Sequence, residues 1–123
     1  MGYYSDTALA LTGKGVDTLN KKLVALETSE EMRKEVQDLL SQADSHYTDS
    51  NSGAEVWHWA WSKWYSQFPE VAFIESLMDE MDDEDYRFIR IGEEYDDTEV
   101  CGGFWKNPFG LELNRCIERR EAG

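Results

Sequence analysis

Few of the residues that mark disulfide-built, metal-binding or catalytic proteins occur in this chain: its 123 residues include two cysteines, two histidines and two prolines. Two cysteines cannot make a disulfide scaffold, and neither Cys101 nor Cys116 lies in a C-x-x-C or beside a histidine, so redox and zinc motifs have no support. The pair flanks an expected turn and could face across a hairpin. In a reducing compartment both are expected as free thiols. No stretch approaches the roughly 18 consecutive apolar residues a membrane span needs. The N-terminus has no basic segment leading into an apolar one, so no secretory signal is expected. An acylation site is not expected either, because Asp6 stands where the Met-Gly motif wants Ser or Thr. The expected setting is cytosolic.

Positive charge is also scarce. Twelve Lys and Arg stand against 26 Asp and Glu, for a formal net charge of −14. Direct nucleic-acid binding needs cations to displace phosphate counterions, so it is excluded as an expectation. Attraction to anionic membranes fails on the same ground.

What the chain does have is concentrated acid. Between Glu70 and Glu99 lie 13 carboxylates against Arg87 and Arg90, a local net charge of −11. The same stretch carries Val71, Phe73, Ile74, Leu77, Met78, Met81, Phe88, Ile89 and Ile91. An acidic disordered tail lacks such residues, so these acids are expected on the surface of a folded unit. With 41% apolar and 13% aromatic residues, one domain over residues 1–123 with one core is expected.

Tyr3 to Leu11 reads as a strand closed by a turn at Thr12-Gly13-Lys14-Gly15. Val16, Leu19, Leu23 and Leu26 recur at helical spacing, as do Met32, Val36, Leu39, Leu40 and Ala43 after a capping-box pattern at Thr28 and Glu31. Asp44 to Gly53 reads as a loop. Trp57, Trp59 and Trp61 alternate with His58, Ala60 and Ser62, although Trp57, Trp61, Trp64, Tyr65 and Phe68 also fit a helical stripe. Aromatic enrichment and the preceding Gly53 favour a strand. Pro69 suits the first turn of a helix bearing Val71, Ile74, Leu77, Met78 and Met81. Acids crowd its C-terminal end, against the macrodipole. Tyr86 to Ile91 and Glu99 to Phe104 follow as strands, with an acidic turn between them, and Leu111, Leu113 and Ile117 suggest a last strand. This order predicts an α+β fold: an antiparallel sheet with helices on one face, ferredoxin-like βαββαβ or a variant.

Three runs, WHWAWSKWYSQFPEV from Trp57, DEDYRFIRIGEEYDDT from Asp83, and FGLEL from Phe109, resemble a group of small acidic proteins encoded by tailed phages and prophages. The resemblance implies a compact α+β domain in a phage-related setting. Small acidic phage proteins recurrently inhibit host defence, as anti-CRISPR and anti-restriction proteins do, and some imitate DNA charge. The resemblance carries over no catalytic residue.

Duplex DNA bears about one negative charge per 1.7 Å of axis, and a helix over residues 70–82 spans about 20 Å. A net −11 around such an element approaches duplex charge density. Taken with the host-defence setting that the resemblance implies, this gives the expected function: non-enzymatic inhibition of a host defence or nucleic-acid-handling complex by a DNA-like acidic surface on its basic site, with salt-sensitive association. The partner-binding residues would be Glu75, Asp79, Glu80, Asp82, Asp83, Glu84, Asp85, Glu93, Glu94, Asp96 and Asp97 in one contiguous patch. One of Trp59, Trp64 or Trp105 would add an apolar anchor. The alternative is a phage structural or assembly accessory domain whose acidic face only solubilises.

Other chemistries find less support. Asp49-x-Asn51-x-Gly53-x-Glu55 superficially resembles a calcium loop, but its glycine is one position early and position 12 is Ala60. An Asx-type turn is expected instead. His46 and His58 have no nucleophile in motif context, and no phosphate-cradling glycine loop occurs. No catalytic residue, metal or cofactor is expected.

Overall fold

The computed structural model describes residues 3–26, 29–94 and 96–104. In chain order these form β1 (Ser5–Leu11), α1 (Gly13–Val24), α2 (Glu30–Ser41), β2 (Ser45–Thr48) and β3 (Glu55–Ser62). Then come α3 (Pro69–Glu80), a 3-10 turn (Asp83–Asp85), β4 (Tyr86–Ile91) and β5 (Thr98–Cys101). The sheet is antiparallel, in the order β2-β3-β1-β4-β5. The crossover from β1 to β2 leaves room for β3, and that from β3 to β4 leaves room for β1. Two split β-α-β units therefore interlock, which is the ferredoxin-like arrangement. The variant consists of a helix pair, α1 and α2, in the first crossover and an added edge strand, β5.

Alternation along the strands fixes which face is covered. Leu9 and Leu11 of β1, Trp57 and Trp59 of β3 and Phe88 of β4 join Leu19, Val36, Ile74 and Leu77 of the helices in one core cluster. α3 packs against both α1 and α2. Its sequence explains why: Val71, Phe73, Ile74, Leu77 and Met78 are all buried, and Pro69 opens the first turn, where its missing N–H is no loss. Truncating a fully buried Ile74 or Leu77 to Ala is worth about 2–5 kcal/mol. Trp59 is sealed in, and its indole Nε1 donates at 2.8 Å to the Leu39 carbonyl in the last turn of α2, which also accepts the Gln42 N–H.

Two local expectations change. The Thr12–Gly15 turn is the start of α1: Thr12 is its N-cap and accepts the Gly15 N–H at 3.0 Å. Gly15 is needed because a Cβ there would meet the Asp85 carbonyl at 2.8 Å. The expected loop from Asp44 to Gly53 begins with β2. This short edge strand shows no apolar alternation because His46, Tyr47 and Thr48 are exposed; it is held by backbone pairing to β3. Within the same stretch the Asx-type turn is present, with Asp49 Oδ2 accepting both the N–H and the hydroxyl of Ser52. Thr28 of the capping box, Trp105, Cys116 and the last strand expected around residues 111–117 lie outside the described residues. No helix among the described residues is long and apolar enough to cross a membrane.

Candidate functional site

The acidic residues do not form one patch. β4 separates them: Asp82 to Asp85 precede it and Glu93 to Asp97 follow it. Six strand residues span about 20 Å, so the thirty-residue acidic stretch folds into two poles at opposite ends of the sheet. The single contiguous patch expected from the sequence is corrected here. Charge that is continuous along the chain becomes bipolar once a buried strand, with Phe88 and Ile89 in its centre, runs through the middle.

The first pole gathers Asp79, Glu80, Asp82, Asp83, Glu84 and Asp85 where α3 ends. Glu80 is held by Lys22 at 2.8 Å and Asp82 by Lys14 at 3.1 Å. Lys22 keeps the Glu80 carboxyl below its usual range, chiefly through that hydrogen bond, and Asp82 likewise raises the Lys14 ammonium. Asp85 is buried and accepts from the Thr12 hydroxyl at 3.0 Å; the Thr12 N–H in turn donates to the Asp85 carbonyl. It anchors β4 to the start of α1 and offers little to a partner. Asp79, Asp83 and Glu84 stand exposed, outside any ion pair among the described residues. Six carboxylates against two lysines leave this pole at net −4. The last turn of α3 contains no base, so its partial negative charge adds to the pole. Glu75 lies one turn or more back on α3, half-buried, and accepts from the Ser66 hydroxyl at 3.0 Å.

The second pole is the β4–β5 hairpin, with Glu93, Glu94, Asp96, Asp97 and Glu99. Arg90 lies across it, donating to Asp97 at 2.8 Å, to Glu99 at 2.8 Å and to the Ser5 hydroxyl at 3.0 Å. Asp97 also accepts from the Tyr3 hydroxyl at 2.5 Å, and this hydrogen bond raises the Tyr3 phenol above its ordinary pKa. The same two carboxylates hold the Arg90 guanidinium protonated still more firmly than usual. Glu93 accepts the Tyr4 N–H at 2.6 Å, and Tyr3 Oη accepts the Glu94 N–H at 3.1 Å. Gly92 makes room for the cluster, since a Cβ there would come within 2.1 Å of Asp97 Oδ2. Five carboxylates against one arginine leave net −4 here also, but most of these groups tie the hairpin to the start of β1. Asp96 is exposed.

Two of the three expected aromatic anchors are corrected too; the third, Trp105, lies outside the described residues. Trp59 and Trp64 are buried, 2% and 7% exposed, in contact with each other and, through Trp64, with Phe88. Trp64 Nε1 is sealed from solvent and finds no acceptor among the described residues. Among the described residues the tryptophan at the surface is Trp61, 65% exposed. A bulge explains it. Ser5 pairs with Ser62 and Thr7 with Trp59, so β3 carries one extra residue against β1, and Trp61 takes φ +60°. The extra residue breaks the alternation that buries Trp57 and Trp59. A left-handed backbone costs a bulky residue about 1–2 kcal/mol. Trp61 stacks on Tyr4, with centroids 5.8 Å apart, and Lys63 Nζ lies 5.6 Å over the Tyr4 ring. Four tryptophans in eight residues hinted that one would face outward. Which one depended on a bulge that period-two counting does not contain.

Each histidine is paired with a carboxylate. His58 Nε2 meets Asp6 Oδ1 at 2.5 Å, and His46 Nε2 meets Glu55 Oε1 at 2.6 Å while stacking on Trp57. The second pair borders a cleft of about 210 Å³ between α1, α2 and the sheet, whose other walls include Val16, Leu19 and Leu23. Neither pair has a cysteine or serine nucleophile bonded to it among the described residues. No group of three or more His, Cys, Asp or Glu among the described residues is arranged to hold a metal ion. The Cys101 thiol has no disulfide partner among the described residues and is half-buried, and burial raises its pKa. No protein-family model, no curated protein and no solved structure matches the chain.

Proposed function

We propose that the protein works by binding rather than by chemistry, presenting ionised carboxylates to an electropositive surface built to handle nucleic acid. By occupying that surface it would block the nucleic acid. The observation that carries this reading is the exposed group of Asp79, Asp83 and Glu84 at and just beyond the negative end of α3, outside any ion pair among the described residues. Like charges so placed repel one another and the helix end; a basic partner relieves both penalties at once. The resemblance to phage-encoded acidic proteins supports a host defence complex as the target. The charge is bipolar, so the surface imitates two separated clusters of phosphate rather than a continuous strand.

A second reading has its own support. Glu80, Asp82, Asp97 and Glu99 are already paired with Lys22, Lys14 and Arg90. Acids neutralised inside the fold suit an assembly accessory domain whose remaining charge only keeps it dispersed. Immobilised protein, loaded with host lysate at low ionic strength and then challenged with duplex DNA or RNA, separates the two. The inhibitor reading expects a retained nucleic-acid-binding partner that salt and nucleic acid both release. It also expects the Asp79→Asn, Asp83→Asn, Glu84→Gln variant to lose about tenfold or more in affinity. Retention through high salt, indifferent to nucleic acid and to these replacements, would overturn it.

A further inference from the structure

Beyond the bulge, where β3 ends, the chain forms a cleft of about 390 Å³ between the end of α2 and the start of α3. Trp61, Trp64, Phe68, Asp44, Glu70 and Gln42 are among its walls. The cleft combines a solvent-facing indole with two carboxylates and one ammonium, that of Lys63, which leaves its charged walls at net −1. Asp44 is fixed there, because its Oδ2 accepts the Ala60 N–H at 2.7 Å. Lys63 also lines the cleft, but its ammonium is turned to the ring of the Tyr4 on which Trp61 stacks, 5.6 Å from the centroid.

We propose that this cleft is a receptor for an arginine side chain of the partner, its guanidinium stacked on Trp61 and paired with Asp44 and Glu70. The inference deepens the reading above and rests on its premise that the partner is basic. Chemistry selects arginine. A planar, weakly hydrated guanidinium can lie flat on an indole while its edge donates to carboxylates, whereas a lysine ammonium is a compact, strongly hydrated point charge. A cleft of this size fits a single side chain with its attached peptide unit. The strained backbone at Trp61 fits the same role: it holds the ring out of the core, and strain of this kind tends to be kept where a surface is used.

The test uses the full chain with hexa-arginine and hexalysine as probes, read by tryptophan fluorescence and by the indole N–H resonance of Trp61. Hexa-arginine should bind more tightly than hexalysine and shift the Trp61 resonance. Trp61→Ala should weaken hexa-arginine about fivefold and leave hexalysine unchanged. Asp44→Asn combined with Glu70→Gln should reproduce the loss for hexa-arginine, with a melting curve confirming the fold. An unmoved Trp61 resonance, or equal losses for both peptides, would overturn the cleft. If instead Trp61→Ala behaves as expected while the Asp79, Asp83, Glu84 replacements change neither peptide's affinity, the cleft stands and the acidic-pole reading fails. Failure of hexa-arginine to bind the unaltered protein would remove both.

Discussion

The two acidic poles carry the same net charge and differ in what that charge is attached to. At the β4–β5 hairpin, Asp97 collects Arg90, Tyr3 and the space left by Gly92, and Glu99 completes the hold on Arg90. These carboxylates are structural ties between β4, β5 and the start of β1. At the end of α3, Asp79, Asp83 and Glu84 are exposed and enter no ion pair among the described residues. Counting carboxylates therefore overstates the charge a partner can meet. Desolvating an acid already bonded to arginine gains little for a newcomer, whereas an unpaired one has its whole interaction to give.

Removing the central tie of the hairpin should have the largest effect. Asp97→Ala takes away the chief partner of a poorly exposed arginine, and urea unfolding should show a loss of about 2–3 kcal/mol. If the cost were only a few tenths, the hairpin acids would be as expendable as those of the other pole and the comparison would break. Next comes Asp85→Ala, which tests the exception inside the open pole. It removes the acceptor of the Thr12 hydroxyl at the start of α1 and should cost about 1–2 kcal/mol.

Neutralising Asp79, Asp83 and Glu84 together should move stability by no more than about 0.5 kcal/mol each, with a tendency to gain, because repulsion at the end of α3 is relieved. A large loss would mean that these acids, too, serve the fold. The smallest effect concerns pH. Glu80 has a folded-state pKa below its ordinary 4.5 because of Lys22. Its contribution is therefore complete above the unfolded value and disappears as pH falls through the lower folded value. Lys22→Ala should return the Glu80 carboxyl to about its ordinary titration, followed by carboxyl chemical shifts in the acid range. An unchanged titration would mean that Lys22 is no partner in solution.

Much of the architecture was legible because it is written in period and punctuation. Val71, Ile74, Leu77 and Met78 repeat as a helix buries them, Pro69 marks the start of that helix, and the alternation in Tyr86–Ile91 is that of β4. The site was less legible. β2 is an edge strand recognised through backbone hydrogen bonds, which leave no trace in side-chain pattern. Trp59 and Trp64 have the same composition signal as Trp61, and only packing tells core from surface.

By itself, then, the amino-acid order determined an acidic α+β domain with helices on one side of an antiparallel sheet, because burial at helical and strand spacing is a local property. The tertiary structure alone decided that the acids form two poles, that one pole is tied to Arg90 and Tyr3 while the other is open, and that Trp61, unlike Trp57, Trp59 and Trp64, is turned to solvent. Those outcomes depend on which groups meet across β1, β3 and β4, and proximity between residues some ninety positions apart is set by the register of the sheet.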